Sequence, residues 1–174
     1  MEGAHKIGLG KDSHRFLSAS ELETGDCDSD KPLVIGGVVV PNAAPFRAHS
    51  DGDVLYHAVF NSIASALGMR SIGHYFPDSD QAQRKRDSAD YLLFIKQKLD
   101  EASAEVCNLS IVVECLRPKI DPIAEQIRSN LGEILDIKPE QVGLTATTGE
   151  GITPWGRGLG VEVTVTTLIR HDTL

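Results

Sequence analysis

The stretch Gly10-Lys11-Asp12-Ser13-His14-Arg15-Phe16 sets an aspartate and a histidine two positions apart. In a strand, residues i and i+2 point to one side, so Asp12 and His14 project together and Ser13 faces away. A carboxylate and an imidazole at that spacing suit one divalent cation. Two solvated residues at a strand end are the competing reading, because Asp-x-His alone is a common pattern. A third donor stands in Ala48-His49-Ser50-Asp51-Gly52-Asp53-Val54-Leu55-Tyr56-His57. His57 follows Asp53 by one helical turn, on the same face. It lies about 200° around the helix from Leu55, off the expected apolar stripe, where a histidine is most often a surface residue. Asp12, His14 and His57 together would nevertheless give three protein ligands and one open position. That is the arrangement of a catalytic zinc, whereas a structural zinc is usually closed by four residues. Asp53 reads as a helix cap, with orientation of a ring nitrogen as the alternative role.

Three other segments carry polar groups whose chemistry depends on their surroundings. Asp78 and Asp80 in Phe76–Asp80 are turn formers, or acids that hold sugar hydroxyls. Arg117–Pro122 places prolines on either side of Lys119. Rigid backbone there could read a base edge, and a loop leading into a proline-initiated helix is the plainer reading. In the stretch 145–158, Thr147, Thr148, glycine amides and Arg157 can together surround a phosphate. Glu150 would repel that phosphate unless Mg²⁺ or Mn²⁺ lay between them. The chain has no Gly-x-x-x-x-Gly-Lys-Ser/Thr, so it is not a P-loop nucleotidase.

The elements that must position these groups follow from periodicity. Residues 5–14 read as a strand and 17–32 as an exposed, acidic loop insertion. Residues 33–41 read as two strand pieces broken at Gly36-Gly37, a hairpin signal. A helix is predicted over about 53–67, with Leu55, Val59, Ile63 and Leu67 marking its buried stripe. An irregular passage over 68–90 leads to a helix at about 88–104, with Tyr91, Leu92, Ile95 and Leu99 inward. A β-branched strand at 107–116, a third helix within 118–137, a strand at 141–149, a glycine-rich turn and an alternating strand at 161–171 complete the order. Without strict βαβ alternation the pattern reads as α+β, a mostly antiparallel sheet with helices packed on one face.

A length of 174 residues suggests one domain over 1–174. The chain is 41% hydrophobic, enough for a real core, and its charged share of 24% is ordinary for a globular protein. A net charge of −8 argues against non-specific binding to nucleic acid or an anionic membrane. Cys27, Cys107 and Cys115 are odd in number and form no Cys-x-x-Cys. A disulfide framework and a cysteine zinc site are therefore not expected. The first residues lack the apolar core of a signal peptide and no stretch approaches a membrane span, so a reducing cytoplasm is expected.

Taken in order, Asp12-Ser13-His14, Gly36-Gly37, 48–58, 72–80, 117–120 and 147–158 resemble the 2-C-methyl-D-erythritol 2,4-cyclodiphosphate synthase family over nearly the whole chain. The resemblance implies a ferredoxin-like α+β fold assembled as a homotrimer, with active sites between adjacent subunits. It implies that a cytidine diphosphate ester is cyclised with release of CMP, a phosphorus–oxygen lyase reaction of non-mevalonate isoprenoid synthesis. By the same resemblance Asp12, His14 and His57 are zinc ligands, and Glu150 belongs to the site of a second cation, Mg²⁺ or Mn²⁺. His49 stands near the reacting phosphates and Thr148 at the position that steadies the transition state. Substrate contacts fall on Asp12, Ser13 and His14; on His49 and Ser50; on Ser71, Ile72 and Gly73; and on Phe76, Pro77, Asp78, Ser79 and Asp80. They continue at Cys115, Leu116, Arg117, Pro118, Lys119, Ile120 and Asp121, the cytosine pocket, and at Thr147, Thr148, Gly149, Glu150, Pro154 and Arg157. Arg157 also lines a central cavity. The sequence departs from the family pattern at Asn61 and Ser71, where aspartates are usual, and at Pro154-Trp155. Two other readings stay open: a zinc hydrolase that activates water, and a non-enzymatic trimer that takes isoprenoid diphosphates in its central cavity.

Overall fold

The computed structural model describes residues 3–25, 29–48, 50–77 and 86–171. Strand β1 (Ala4–Arg15) is followed by a short helix, α1 (Ala19–Glu23), and a hairpin of β2 (Leu33–Ile35) and β3 (Val38–Val40). Helices α2 (Val54–Ala66), α3 (Ile72–Tyr75) and α4 (Ala89–Glu101) come next, then β4 (Ala104–Glu114), α5 (Ala124–Leu135), β5 (Val142–Thr147) and β6 (Gly160–His171). The main sheet has the order β1-β6-β4-β5. β6 runs antiparallel to both β1 and β4, whereas β5 is parallel to β4. The parallel pair follows from its connection, because α5 carries the chain back along the sheet before β5 begins.

Alternation along the strands decides where the core lies. Leu109, Ile111 and Val113 of β4 and Val161, Val163, Val165 and Ile169 of β6 are buried towards α2, α4 and α5. The opposite face is uncovered: Ile7 is 71%, Leu9 63% and Val112 42% exposed. The α+β architecture with helices on one face is therefore as predicted.

Helix α2 departs from the simple stripe. Leu55, Val59 and Ile63 are buried as predicted, and so are Val54, Tyr56, Ala58 and Phe60. The sheet covers one side, while α4 and the β2–β3 hairpin cover others, so the apolar surface runs nearly all round. His57, off the stripe, is consequently 9% exposed rather than a surface residue. The sheet side is unusually close. A Cβ on Gly8 would land on the backbone oxygen of Ser62, and one on Gly10 on that of Ala58. Ser62 Oγ, 2.5 Å from Thr167 Oγ1, ties the same face of the helix to β6.

Two segments read as irregular contain short helices. Within 17–32, Ser18 and Glu21 form a capping box at the start of α1. Within 68–90, Asn61 Oδ1 accepts the Ile72 N–H at 3.0 Å and so caps α3 from the neighbouring helix. The third predicted helix is split into a 3-10 turn at Asp121–Ile123 and α5. Among the described residues no helix is long and apolar enough to cross a membrane.

The β1–α2 contact yields a stability prediction. Gly10→Ala forces backbone apart rather than a flexible side chain, and is expected to cost about 3 kcal/mol, read as a lower midpoint in urea denaturation. A midpoint equal to that of the unsubstituted chain would contradict the contact.

Candidate metal centre

Asp12 and His14 leave β1 on the side that carries Gly8 and Gly10, facing α2. His57 reaches them from the first turn of that helix. Asp12 Oδ2 lies 3.0 Å from His57 Nδ1 and 3.2 Å from His14 Nε2. His14 Nε2 and His57 Nδ1 are 3.3 Å apart. A tetrahedron with metal–ligand bonds of about 2.0 Å has edges of about 3.3 Å. The three donor atoms thus occupy one face of such a tetrahedron, and the set fits a zinc-sized cation. These are the three residues that group as a candidate metal site among the described residues. Burial works against charge on Asp12, but the two imidazoles beside it, His14 and His57, outweigh it. They hold the carboxyl well below its ordinary range. His14 packs on Phe46, itself stacked on Phe16, and His57 packs against Tyr91.

The start of α2 is fixed by Asp53, which is fully buried. One carboxylate oxygen accepts Leu55 N–H and Tyr56 N–H, both at 3.1 Å, which is N-capping. The same carboxylate accepts Gly36 N–H at 2.9 Å and Gly37 N–H at 2.6 Å. Both glycines have positive φ, 60° and 72°, as the tight turn between β2 and β3 requires. Burial pushes the Asp53 carboxyl up, against the pull of these backbone donors. Asp53 therefore caps the helix and anchors the hairpin. The group beside the His57 ring is Ser88: its Oγ is 3.0 Å from Nε2, with Ser50 Oγ at 3.4 Å.

A cavity of about 260 Å³ opens beside the three ligands. Ser50, Ile72, Gly73 and Phe76 line it, as do Arg47, Ala48 and Tyr91. Four of the predicted substrate contacts therefore meet the three candidate metal ligands in one place. Ser71 starts α3 and is exposed, and Pro77 is exposed beyond it. His49, Asp78, Ser79 and Asp80 lie outside the described residues, as does Cys27. Ser13 points to the uncovered face of the sheet and is exposed.

The other predicted segments gather elsewhere. Cys115–Asp121 and Thr147–Arg157 follow β4 and β5, which end side by side at Glu114 and Thr147. Cys115 N–H donates to Thr147 O at 3.0 Å, and Leu116 N–H to Trp155 O at 3.1 Å, joining the two loops. Cys115 Sγ reaches Pro118 O at 3.3 Å across the cis Arg117–Pro118 bond. Burial pushes the Cys115 thiol up to about 11. Gly149, Glu150 and Gly151 all have positive φ, so exposed Glu150 holds a conformation that ordinary residues rarely adopt. Trp155 Nε1 donates to Glu162 Oε2 at 3.0 Å. Among the described residues this loop pair does not line the metal cavity. β1 and β5 are the outer strands, with β6 and β4 between them.

Arg47, Tyr91 and Ser88 were not legible as site residues. Arg47 Nη1 is 2.6 Å from Glu21 Oε1, and Arg15 holds the same carboxylate with bonds of 2.8 and 2.6 Å. Lys31 Nζ donates to Ala48 O and Ser50 O, both at 2.8 Å. The segment 17–32 thus grips the loop that forms one wall of the cavity. A charge in a polar loop carries no mark in the sequence of which distant carbonyl it will meet.

A family model described as the YgbB family matches residues 5–170. A Treponema denticola protein named 2-C-methyl-D-erythritol 2,4-cyclodiphosphate synthase is 38% identical, over 95% of this chain and 98% of its own. A Cyanothece protein of the same name is 37% identical over 90% of each chain. Among solved structures, the Plasmodium falciparum IspF in complex with CDP superposes with a TM-score of 0.80 at 27% identity, covering 99% of this chain and 100% of that one.

The Asp53 arrangement is testable separately from any activity. Asp53→Ala removes the acceptor of four backbone N–H groups and is expected to cost about 3–5 kcal/mol. Asp53→Asn, which keeps the shape, should lose less. Equal stability of all three proteins by chemical denaturation would refute the anchoring role.

Proposed function

Because the chain belongs to the YgbB family, we propose that it converts 4-diphosphocytidyl-2-C-methyl-D-erythritol 2-phosphate to 2-C-methyl-D-erythritol 2,4-cyclodiphosphate and CMP, in non-mevalonate isoprenoid biosynthesis. The observation that carries the reading is the tetrahedral face formed by Asp12, His14 and His57 beside a cavity lined by Ser50, Ile72, Gly73 and Phe76. An oxygen of the 2-phosphate forms a bond to the β-phosphorus. The bond from that phosphorus to the bridging oxygen breaks, and CMP leaves with the oxygen and its electron pair.

The nucleophile is already an anion, so no strong general base is required. A bound divalent cation, zinc on the donor set, supplies Lewis-acid neutralisation of the charge gathered on the phosphates. The chain's own task is to hold a flexible polyanion folded on itself. Ser50 lies beside His57, where its hydroxyl can meet a phosphate, and Arg47 adds a positive charge at the cavity wall. His49 acts on the reacting phosphates. Thr148 meets the diphosphate with its hydroxyl, and Glu150 would hold Mg²⁺ or Mn²⁺, which would offset the charge there. Cys115–Asp121 holds the cytosine.

The separation of the metal cavity from the two loops supports a site completed between copies of the chain. The uncovered sheet face, with Ile7, Leu9 and Val112 exposed, supports assembly through that face, and we take the assembly to be a homotrimer. The single helical layer on a four-stranded sheet supports the ferredoxin-like description and one domain over the chain. Cys107 and Cys115 as free thiols support a reducing, cytoplasmic setting. A zinc hydrolase would give a linear product instead of a ring.

Incubation of the zinc-loaded protein with the cytidine substrate and Mg²⁺ should give the cyclic diphosphate and CMP by phosphorus NMR. A linear phosphate product, or none, would overturn the reading. His57→Ala should lose zinc and lower kcat/KM by about a thousandfold, the several kcal/mol that a Lewis acid contributes. Light scattering should give the mass of three chains, and Ile7→Asp should shift it to one. A monomeric parent protein would refute the assembly.

A further inference from the structure

The His57 ring has two nitrogens, and only one of them faces Asp12 and His14. Nδ1 lies at the triad and Nε2 points into the protein, towards Ser88 Oγ at 3.0 Å. Ser88 is fully buried. It occupies the N-cap position of α4, yet its hydroxyl makes no capping bond to that helix. A serine at an N-cap ordinarily accepts from the helix's own N–H groups. Here Ser88 Oγ–H donates instead to Asp51 Oδ1, and Ser88 N–H donates to Asp51 Oδ2 at 2.9 Å. Asp51 is held in turn: its Oδ1 accepts Asp53 N–H at 3.1 Å, and its own N–H donates to Arg86 O at 3.1 Å.

Ser50 Oγ, at 3.4 Å, is the more distant neighbour of Nε2 and itself accepts Gly52 N–H, so the closer Ser88 bond sets the imidazole tautomer. The Asp51 carboxylate can only accept, so the Ser88 proton goes to it. Ser88 Oγ then has only lone pairs to offer His57, and Nε2 must supply the proton. With the proton on Nε2, the Nδ1 lone pair is free and aimed at the triad. A serine that donated to Nε2 would leave the proton on Nδ1, where it would block the ligand. From this geometry we infer that Ser88 and Asp51 are positioning residues. They form a relay that fixes the His57 ring and its tautomer, so that Nδ1 serves as the metal ligand. The relay also joins the start of α2 to the start of α4, because Asp51 precedes the one and Ser88 begins the other. The inference rests on the reading of Asp12, His14 and His57 as a cation site. Ligand histidines are commonly oriented through the other ring nitrogen, and loss of such a partner weakens metal binding by about 10–100-fold.

The test measures zinc affinity by competition with a chromophoric chelator, alongside nitrogen NMR of the histidine rings in the zinc-loaded protein. The parent protein should bind zinc and show the His57 proton on Nε2. Ser88→Ala and Asp51→Asn should each bind zinc about 10–100-fold more weakly. The double variant should lose little more than either, since the two act through one path. Ser62→Ala is the control: it removes another fully buried hydroxyl, bonded to Thr167 and apart from the triad. It should lower the melting temperature and leave zinc affinity unchanged. If Ser88→Ala does not fold, Asp51→Asn carries the comparison. Zinc bound by Ser88→Ala or Asp51→Asn within about twofold of the parent would overturn the relay, as would a His57 proton on Nδ1. A parent protein that fails to bind zinc would overturn the cation site itself.

Discussion

The contact on which the rest of the molecule depends is that of β1 with α2 over Gly8 and Gly10. Only glycine lets the helix backbone lie against the strand, because any Cβ would occupy the place of the Ser62 and Ala58 backbone oxygens. Asp12 is the next residue on that face of the strand, and His57 is the neighbour of Ala58 on the helix. The close approach is therefore what brings the donor atoms of Asp12, His14 and His57 to within 3.0–3.3 Å of one another. Helices ordinarily stand off a sheet by the thickness of interlocking side chains.

Around that contact the polar groups join separate elements to one another. Asp53 uses one buried carboxylate to begin α2 and to fix the β2–β3 turn, so helix and hairpin cannot move independently. Asp51 and Ser88 do the same for α2 and α4. On the surface, Glu21 is shared by Arg15 and Arg47, and Lys31 holds the carbonyls of Ala48 and Ser50. Exposed ion pairs add little stability. Their effect is to hold the loop of the cavity wall, through Glu21 on Arg47 and Lys31 on Ala48 and Ser50.

The chain divides its chemistry between two places. The candidate metal site, Asp12, His14 and His57, lies between β1 and α2. The loops of Cys115–Asp121 and Thr147–Arg157 sit together after β4 and β5, joined by backbone bonds and shaped by the positive φ values at Gly149, Glu150 and Gly151. The order of the sheet, with β6 and β4 between β1 and β5, keeps the two places apart.

Much of this was legible in the residues. Alternation marked β1 and β6, the Gly36-Gly37 pair marked the hairpin, and the spacing of Asp12 and His14 put both on one side of a strand. These are local consequences of backbone geometry, with a range of a few residues. The ordered motifs along the chain pointed to the family and to His57 as a third donor beside Asp12 and His14. What the sequence could not decide were facts of longer range. It could not show that α2 is covered nearly all round, which buries a histidine off its stripe. It could not show that Ser88 turns from its own helix to His57, or that Arg47 and Lys31 meet partners far away in the chain. Such contacts depend on how closely separate elements pack, and only the tertiary structure decides that.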